Sequence, residues 1–375
     1  MKVIDLFSGC GGLSQGFQQA GFTIVAAFEF WKPAFDTYSK NFSHPVFQTD
    51  LSNVEVATNQ MKCLDADVII GGPPCQDFSQ AGKRIEGDRA NLTKSFAQIV
   101  SLKRPRYFVM ENVDRSRLSS SYADARAIYK RSGYGLTEIV LDASFCGVPQ
   151  KRKRFFCIGG LGLEDNALIE IIESMKSTKP TTLRDYYGAS LPFEYYYRHP
   201  RNYSRRGIFS IDEPAPTMRG VNRPVPKGYP GHPNDPVPLS KEIRALTTEE
   251  RALIQTFPAN FVFCGTKTDK EQMIGNAVPV KLAEFVATAL ATFDKNLMKE
   301  SRDNFSDWLK KRHKFTDRSI SDIRSRLNRL HKENITTETE LINHEKFSAT
   351  SKSVKSQMKR ALHLYKEFCL ENKEQ

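Results

Sequence analysis

Six short apolar runs in the first 160 residues, separated by helix-like segments, constrain this chain more than any other feature. They read KVIDLF, TIVAAFE, ADVIIGG, RYFVMEN, GLTEIVLDA and RFFCIGG. Helical patterns fall between them, near residues 13–20, 32–41, 91–103 and 121–132. Strands that alternate with helices predict an α/β domain, a Rossmann-like parallel sheet covered by helices. Ligands of such sheets bind outside the carboxyl ends of the strands. The residues that end each run are therefore the first candidates for chemistry.

The pattern breaks after residue 175. Residues 177–240 are rich in Pro, Tyr, Arg and Gly, as in EYYYRHPRNYSRRG, which predicts loops and short irregular strands. Helical signals resume at LTTEERALIQTFP, where Thr247 and Glu250 have capping-box spacing, and at VPVKLAEFVATALATF. Beyond residue 298, amphipathic basic helices suggest a separate module. The expected division is 1–175, 176–243, 244–298 and 299–375. For the last part a solvated appendage, extra DNA contact and a protein partner all remain open.

Net charge is +12. Residues 175–240 hold 10 Lys and Arg against 5 Asp and Glu, and residues 296–375 hold 18 against 12. A surplus concentrated in two regions points to a polyanionic partner. The seven cysteines contain no CxxC pair, which argues against a zinc site and a disulfide framework. No run approaches the roughly 18 apolar residues of a membrane span, and MKVIDLFSG enters a strand without a charged leader. The expectation is a cytoplasmic protein.

DLFSGCGGLSQGF places Gly9, Gly11, Gly12 and Gly16 between the first strand and a helix, where backbone can approach a ligand. Glu29 ends the second strand, placed to accept from ribose hydroxyls, and Asp50, in TDLS, is expected at the equivalent end of a further short strand. A nucleoside-containing cofactor fits, with NAD and S-adenosylmethionine both open. In GGPPCQ two prolines hold Cys75 stiffly at a strand's carboxyl end, as a nucleophile requires and a core cysteine does not. QDFSQAGKRIEGDRANL reads as a loop that closes over substrate. VMENV puts Glu111 at the end of an apolar strand, where desolvation favours the protonated acid. QKRKRFFCIGG sets Gln150, Arg152 and Arg154 at alternating positions of an extended segment.

Taken in order, DLFSGCGG, Glu29, Asp50, GGPPCQ, ENV, QxRxR, RALTTEERALIQTFP and IGNAVP closely resemble the DNA (cytosine-5) methyltransferases over residues 1 to about 295. The resemblance implies an S-adenosylmethionine-dependent fold with a loop-rich target-recognition region and, here, a C-terminal helical extension. It implies a cofactor site of Phe7, Gly9, Cys10, Gly11, Gly12, Glu29, Phe30, Asp50, Leu51, Pro74, Leu92, Asn276 and Val278, releasing S-adenosylhomocysteine. Phe30 stands where the family often has tryptophan. Catalysis is implied for Cys75, Glu111, Arg152 and Arg154, with no metal. Duplex DNA would meet Gln80, Lys83 and Arg84 on the loop, and Arg198, Arg201, Arg205, Arg206, Arg219 and Arg223 in the recognition region. A monomer on DNA, no membrane and a cognate restriction endonuclease complete the picture. The rivals are the same chemistry on transfer RNA, a non-catalytic DNA-binding regulator, and an NAD oxidoreductase that would leave PPCQ and QKRKR unused.

Overall fold

A computed structural model describes residues 1–74, 92–202, 204–333 and 335–371. It divides into two compact units, Met1–Ala291 and Thr292–Gln375. Cys75, Gln80, Lys83 and Arg84 lie outside the described residues.

The first unit is built on strands β1 (Lys2–Leu6), β2 (Thr23–Glu29), β3 (Val46–Gln48), β4 (Val68–Gly71), β5 (Tyr107–Val113), β6 (Tyr134–Asp142), β7 (Gln150–Lys151) and β8 (Lys153–Leu161). All but β7 form one sheet in the order β3-β2-β1-β4-β5-β8-β6. The chain steps from β1 to β2 on one side and later returns to β4 on the other. That reversal opens a crevice beyond the carboxyl ends of β1 and β4. Helices α1 (Gly12–Gln19), α2 (Lys32–Asn41), α3 (Val54–Gln60), α4 (Leu92–Lys103) and α5 (Ser120–Arg131) alternate with the strands.

The sheet is not wholly parallel, as the alternating pattern had implied. β8 runs antiparallel to both β5 and β6. The 143–152 connection is too short for the crossover of a dozen or more residues that a parallel return needs. Central strands are buried on both faces, so β1 reads as an apolar run with Val3, Ile4 and Leu6 at 0% exposure. Asp5 is its buried exception.

Residues 176–243 belong to the first unit. After α6 (Ile169–Met175) and α7 (Leu183–Tyr187), β9 (Tyr195–Tyr197) and β10 (Ile208–Ser210) form a small antiparallel pair, and β11 (Ala215–Pro216) pairs with β7. Side chains substitute for regular structure here. The Asp235 carboxylate accepts from the backbone amides of Gly207, Ile208 and His232 and from the Tyr229 hydroxyl. Tyr196, Phe209, Ile211 and Met218 form a core with Leu246 and Ile254.

α8 (Thr248–Ile254) starts at the expected Thr247–Glu250 capping box. α9 (Lys267–Asn276) has a second box, Thr266 with Asp269. Its sequence, KTDKEQMIGN, has little apolar periodicity, so the sequence did not signal it. α10 (Val280–His313) runs 34 residues. The Lys267–His313 stretch contains a window apolar enough to cross a bilayer, but 67% of that window is buried in the protein. In the second unit, α11 (Asp317–His331), α12 (Glu338–Asn343), α13 (Glu345–Ser348) and α14 (Lys352–Glu371) enclose a core that includes Phe305, Leu309, Leu327, Leu330 and Leu362.

Candidate active site

A cavity of about 640 Å³ occupies the crevice at the strands' carboxyl ends. Of the thirteen residues expected to hold a cofactor, all but Gly11 line it. Gly11 sits just behind, capping α1 with φ 97. A Cβ there would stand 2.4 Å from the Phe42 ring, so only glycine fits. Phe7 takes φ 55, a conformation rare for an aromatic residue, as β1 turns into the loop.

Glu29 fixes the loop. One carboxylate oxygen accepts from the Gly9 amide and the other from the Trp31 amide, both at 2.7 Å. Burial pushes its carboxyl above the usual range and the amide bonds pull it back. Each oxygen retains a lone pair for a hydroxyl donor. Asp50 is exposed at the rim and accepts from the Ser52 amide. Phe30 is 58% exposed at the mouth, and Trp31, the next residue, also lines the cavity. Carboxylates beside aromatic and aliphatic walls suit a ligand with both sugar hydroxyls and a flat base. Cys10 also lines the cavity, but burial pushes its thiol up to about 12, which makes it inert.

Pro74, Glu111, Asn112 and Arg154 line the same cavity. Arg154 Nε stands 2.8 Å from Glu111 Oε1. Burial raises the Glu111 carboxyl, while the charges of Arg154 and Arg152 oppose that rise. Gly72 lets this carboxylate lie against the end of β4, since a Cβ there would approach Glu111 Oε2 to 3.1 Å. The Asn112 side-chain amide donates to the Pro73 carbonyl at 3.0 Å. Asn112 therefore holds the proline pair that leads into Cys75, a function its sequence position beside Glu111 did not reveal.

Arg152 does not line the cavity as Arg154 does, although its charge is felt at Glu111. Its side chain is buried away from the cavity, and its guanidinium donates to the carbonyls of Met218, Gly275 and Ala277 at 3.0, 2.9 and 3.0 Å. The 150–154 segment passes from β7 to β8 at Arg152, yet the alternation holds: Gln150, Arg152 and Arg154 turn inward while Lys151 and Lys153 are exposed. Gln150 is equally internal, donating to Gln255 and accepting from the Met218 amide. Both residues fasten the return segment that carries Asn276 and Val278. Gln272 and Met273 on α9 also line the cavity and were missed because α9 itself was not legible.

The six recognition-region arginines separate into two groups. Arg201, Arg205 and Arg223 are exposed. Arg206 pairs with Glu213 and lies over the Phe209 ring. Arg198 donates to the Thr217 carbonyl and Arg219 to the His199 carbonyl. Burial, with the like charges of Arg219, Arg251 and Arg201, lowers Arg198 to about 10.

A family model described as C-5 cytosine-specific DNA methylase matches residues 1–292. The Type II methyltransferase M.HindV of Haemophilus influenzae is 59% identical over 298 residues, covering 79% of this chain and 98% of that one. M.HgiDI of Herpetosiphon aurantiacus, another Type II methyltransferase, is 54% identical over 78% of this chain and 95% of its own length. Among solved structures, the S. pombe Dnmt2 methyltransferase shares the fold with a TM-score of 0.58 at 17% identity, covering 78% and 98% of the two chains. Residues 1–292 and the cavity they build place this chain in the C-5 cytosine-specific DNA methylase family.

Proposed function

We propose that the protein transfers a methyl group from S-adenosylmethionine to C5 of a cytosine in duplex DNA, as a DNA (cytosine-5-)-methyltransferase, with Cys75 as nucleophile. The observation that carries this reading is a single cavity, lined at one end by Glu29, Asp50 and the glycine loop and at the other by Pro74, Glu111 and Arg154. A nucleoside cofactor at the first end and a base at the second would face each other.

The chemistry asks for these groups. Cytosine C5 is a poor nucleophile. Addition of the Cys75 thiolate to C6 opens the C5–C6 double bond and drives electron density toward N3. A protonated Glu111 delivers its proton there, leaving an enamine with electron-rich C5. S-adenosylmethionine, when bound, supplies an electrophilic methyl carbon for C5. Loss of the C5 proton to water, expulsion of the thiolate and return of the N3 proton to Glu111 then restore the neutral aromatic ring and the acid. Arg154 orients Glu111 and stabilises the negative charge that develops on the base.

The base must leave the helix to reach this cavity, at a cost of about a few kcal/mol. Exposed Arg201, Arg205 and Arg223 are suited to phosphates. The relatives' Type II names support protection of DNA from a cognate endonuclease.

The test is methyl transfer to DNA followed by mapping of the modified base. The expected product is 5-methylcytosine at one short sequence, with none from Cys75→Ser although that variant still binds DNA. Methyl groups on an exocyclic amine, on transfer RNA alone, or undiminished in Cys75→Ser would refute the reading.

A further inference from the structure

The family match ends at residue 292, where the second compact unit begins. That unit carries a charged groove. Ser321, Arg324, Ser325 and Asn328 on α11, with Lys332 at its C-cap, share one face by their spacing of three, four and seven residues. The opposite stripe of Ile323, Leu327 and Leu330 is buried in the unit's core, and Ile320, also buried, borders the groove. Ser306 and Lys310 on α10 form the facing wall, and the groove encloses about 760 Å³.

The lining is selective. Four of its ten residues are Lys or Arg, and the single acid, Asp317, pairs with Lys310 at 2.8 Å. Most of the others are serine and asparagine, neutral donors that suit phosphate oxygens. Arg324 donates to the Ser306 hydroxyl at 3.2 Å, which spans the two walls. Arg329, at the edge, lies over the Phe347 ring at 5.3 Å. A merely solvated helix face would intersperse acids among its bases. From Ser321 to Lys332 the helix rises about 16 Å, and one DNA strand offers a phosphate about every 3.4 Å.

We propose that this α10–α11 groove binds the sugar–phosphate backbone of duplex DNA without reading its bases, giving the enzyme a second hold on its substrate. The proposal rests on the reading that the chain acts on duplex DNA. A covalently joined second site raises the effective concentration of DNA at the first without any new base contact.

The full-length chain carrying Lys310→Gln, Arg324→Gln and Lys332→Gln tests this, beside a control carrying Lys299→Gln, Lys352→Gln and Lys366→Gln. All six positions are exposed or half-buried, and both variants lose the same charge. Binding to a long duplex of arbitrary sequence is measured against salt, with methyl transfer to plasmid DNA. In the groove variant the plot of log K against log salt should become shallower by about two to three units, near 0.9 for each lost phosphate contact. Its KM for plasmid DNA should rise, with the control unchanged. Equal effects in both variants would mean that net charge alone matters. No effect in the groove variant would leave an acidic protein as the partner. Either result overturns the proposal. If the unsubstituted chain methylates no DNA, the functional reading fails instead, while the salt dependence still decides the groove.

Discussion

Arg154 on β8 and Glu111 on β5 meet across an antiparallel strand pair, Nε to Oε1 at 2.8 Å, with both side chains nearly buried. The pair can form because β8 reverses direction within the sheet. Glu111 is set one residue ahead of Asn112, whose amide holds Pro73. The acid, its arginine and the segment leading to Cys75 are thus parts of one rigid constellation.

Glu111→Gln should lower methyl transfer by about a hundredfold or more, the usual worth of a positioned general acid, with S-adenosylhomocysteine binding retained. Burial raises the Glu111 carboxyl, so the protonated form persists to higher pH than in an ordinary glutamate. Its contribution is present at low pH and is lost as pH rises through that elevated value. The corresponding alkaline fall in kcat/KM should be absent in Glu111→Gln. A pH–rate profile of both proteins checks this, and an unchanged rate would remove Glu111 from the mechanism.

Arg152→Lys should weaken cofactor binding without touching the cavity. Lysine is a point donor and cannot reproduce a planar fork across three carbonyls. Carbonyls left unsatisfied at Gly275 and Ala277 would loosen Asn276 and Val278, costing about 1–3 kcal/mol each. Calorimetric affinity for S-adenosylhomocysteine and the melting temperature should fall together.

Asp5 offers a pH-dependent stability test. Its carboxyl accepts from the Ser14 hydroxyl at 2.7 Å, Ser14 meets Tyr38 at 2.6 Å, and Tyr38 meets His44 at 2.7 Å. Burial pushes Asp5 up to about 8 from 3.8, with the Ser14 hydroxyl pulling it back. A raised carboxyl stabilises the fold fully below its ordinary value, and that stability is lost as pH climbs toward 8. The effect is on the order of a few kcal/mol. Asp5→Asn, neutral throughout, should show a smaller fall in melting temperature across this window.

Gly16→Ala tests the contact of α1 with α10. An added Cβ would lie 2.5 Å from both the Ala283 Cβ and the Val280 carbonyl oxygen. Backbone cannot yield as a flexible side chain would, so a loss of about 1–3 kcal/mol is expected in chemical denaturation. A neutral result would mean that the two helices separate freely.

Six of the seven strands of the main sheet, the glycine loop, Glu29 and Asp50 were legible because they depend on local patterns, whereas Phe7, Cys10, Phe30, Leu51, Pro74, Leu92, Asn276 and Val278 were expected at the cofactor only from the family resemblance. Apolar runs, glycines after a strand and acids at strand ends are fixed within a few residues of chain. The Thr247–Glu250 cap was legible for the same reason. α9 was not, because its ten residues carry no apolar stripe and their burial comes from contacts distant in sequence, such as Met273 with Thr37.

By itself the sequence determined the α/β alternation, the glycine loop and the kinds of residue that end each strand, since backbone preference and apolar periodicity are local properties. Only the tertiary structure decided that Arg154 faces Glu111 while Arg152 turns inward to Met218, Gly275 and Ala277. Two arginines two positions apart look equivalent in a one-dimensional pattern. What separates them is which carbonyls and carboxylates distant parts of the chain bring within hydrogen-bonding reach, and that depends on how the strands close against one another.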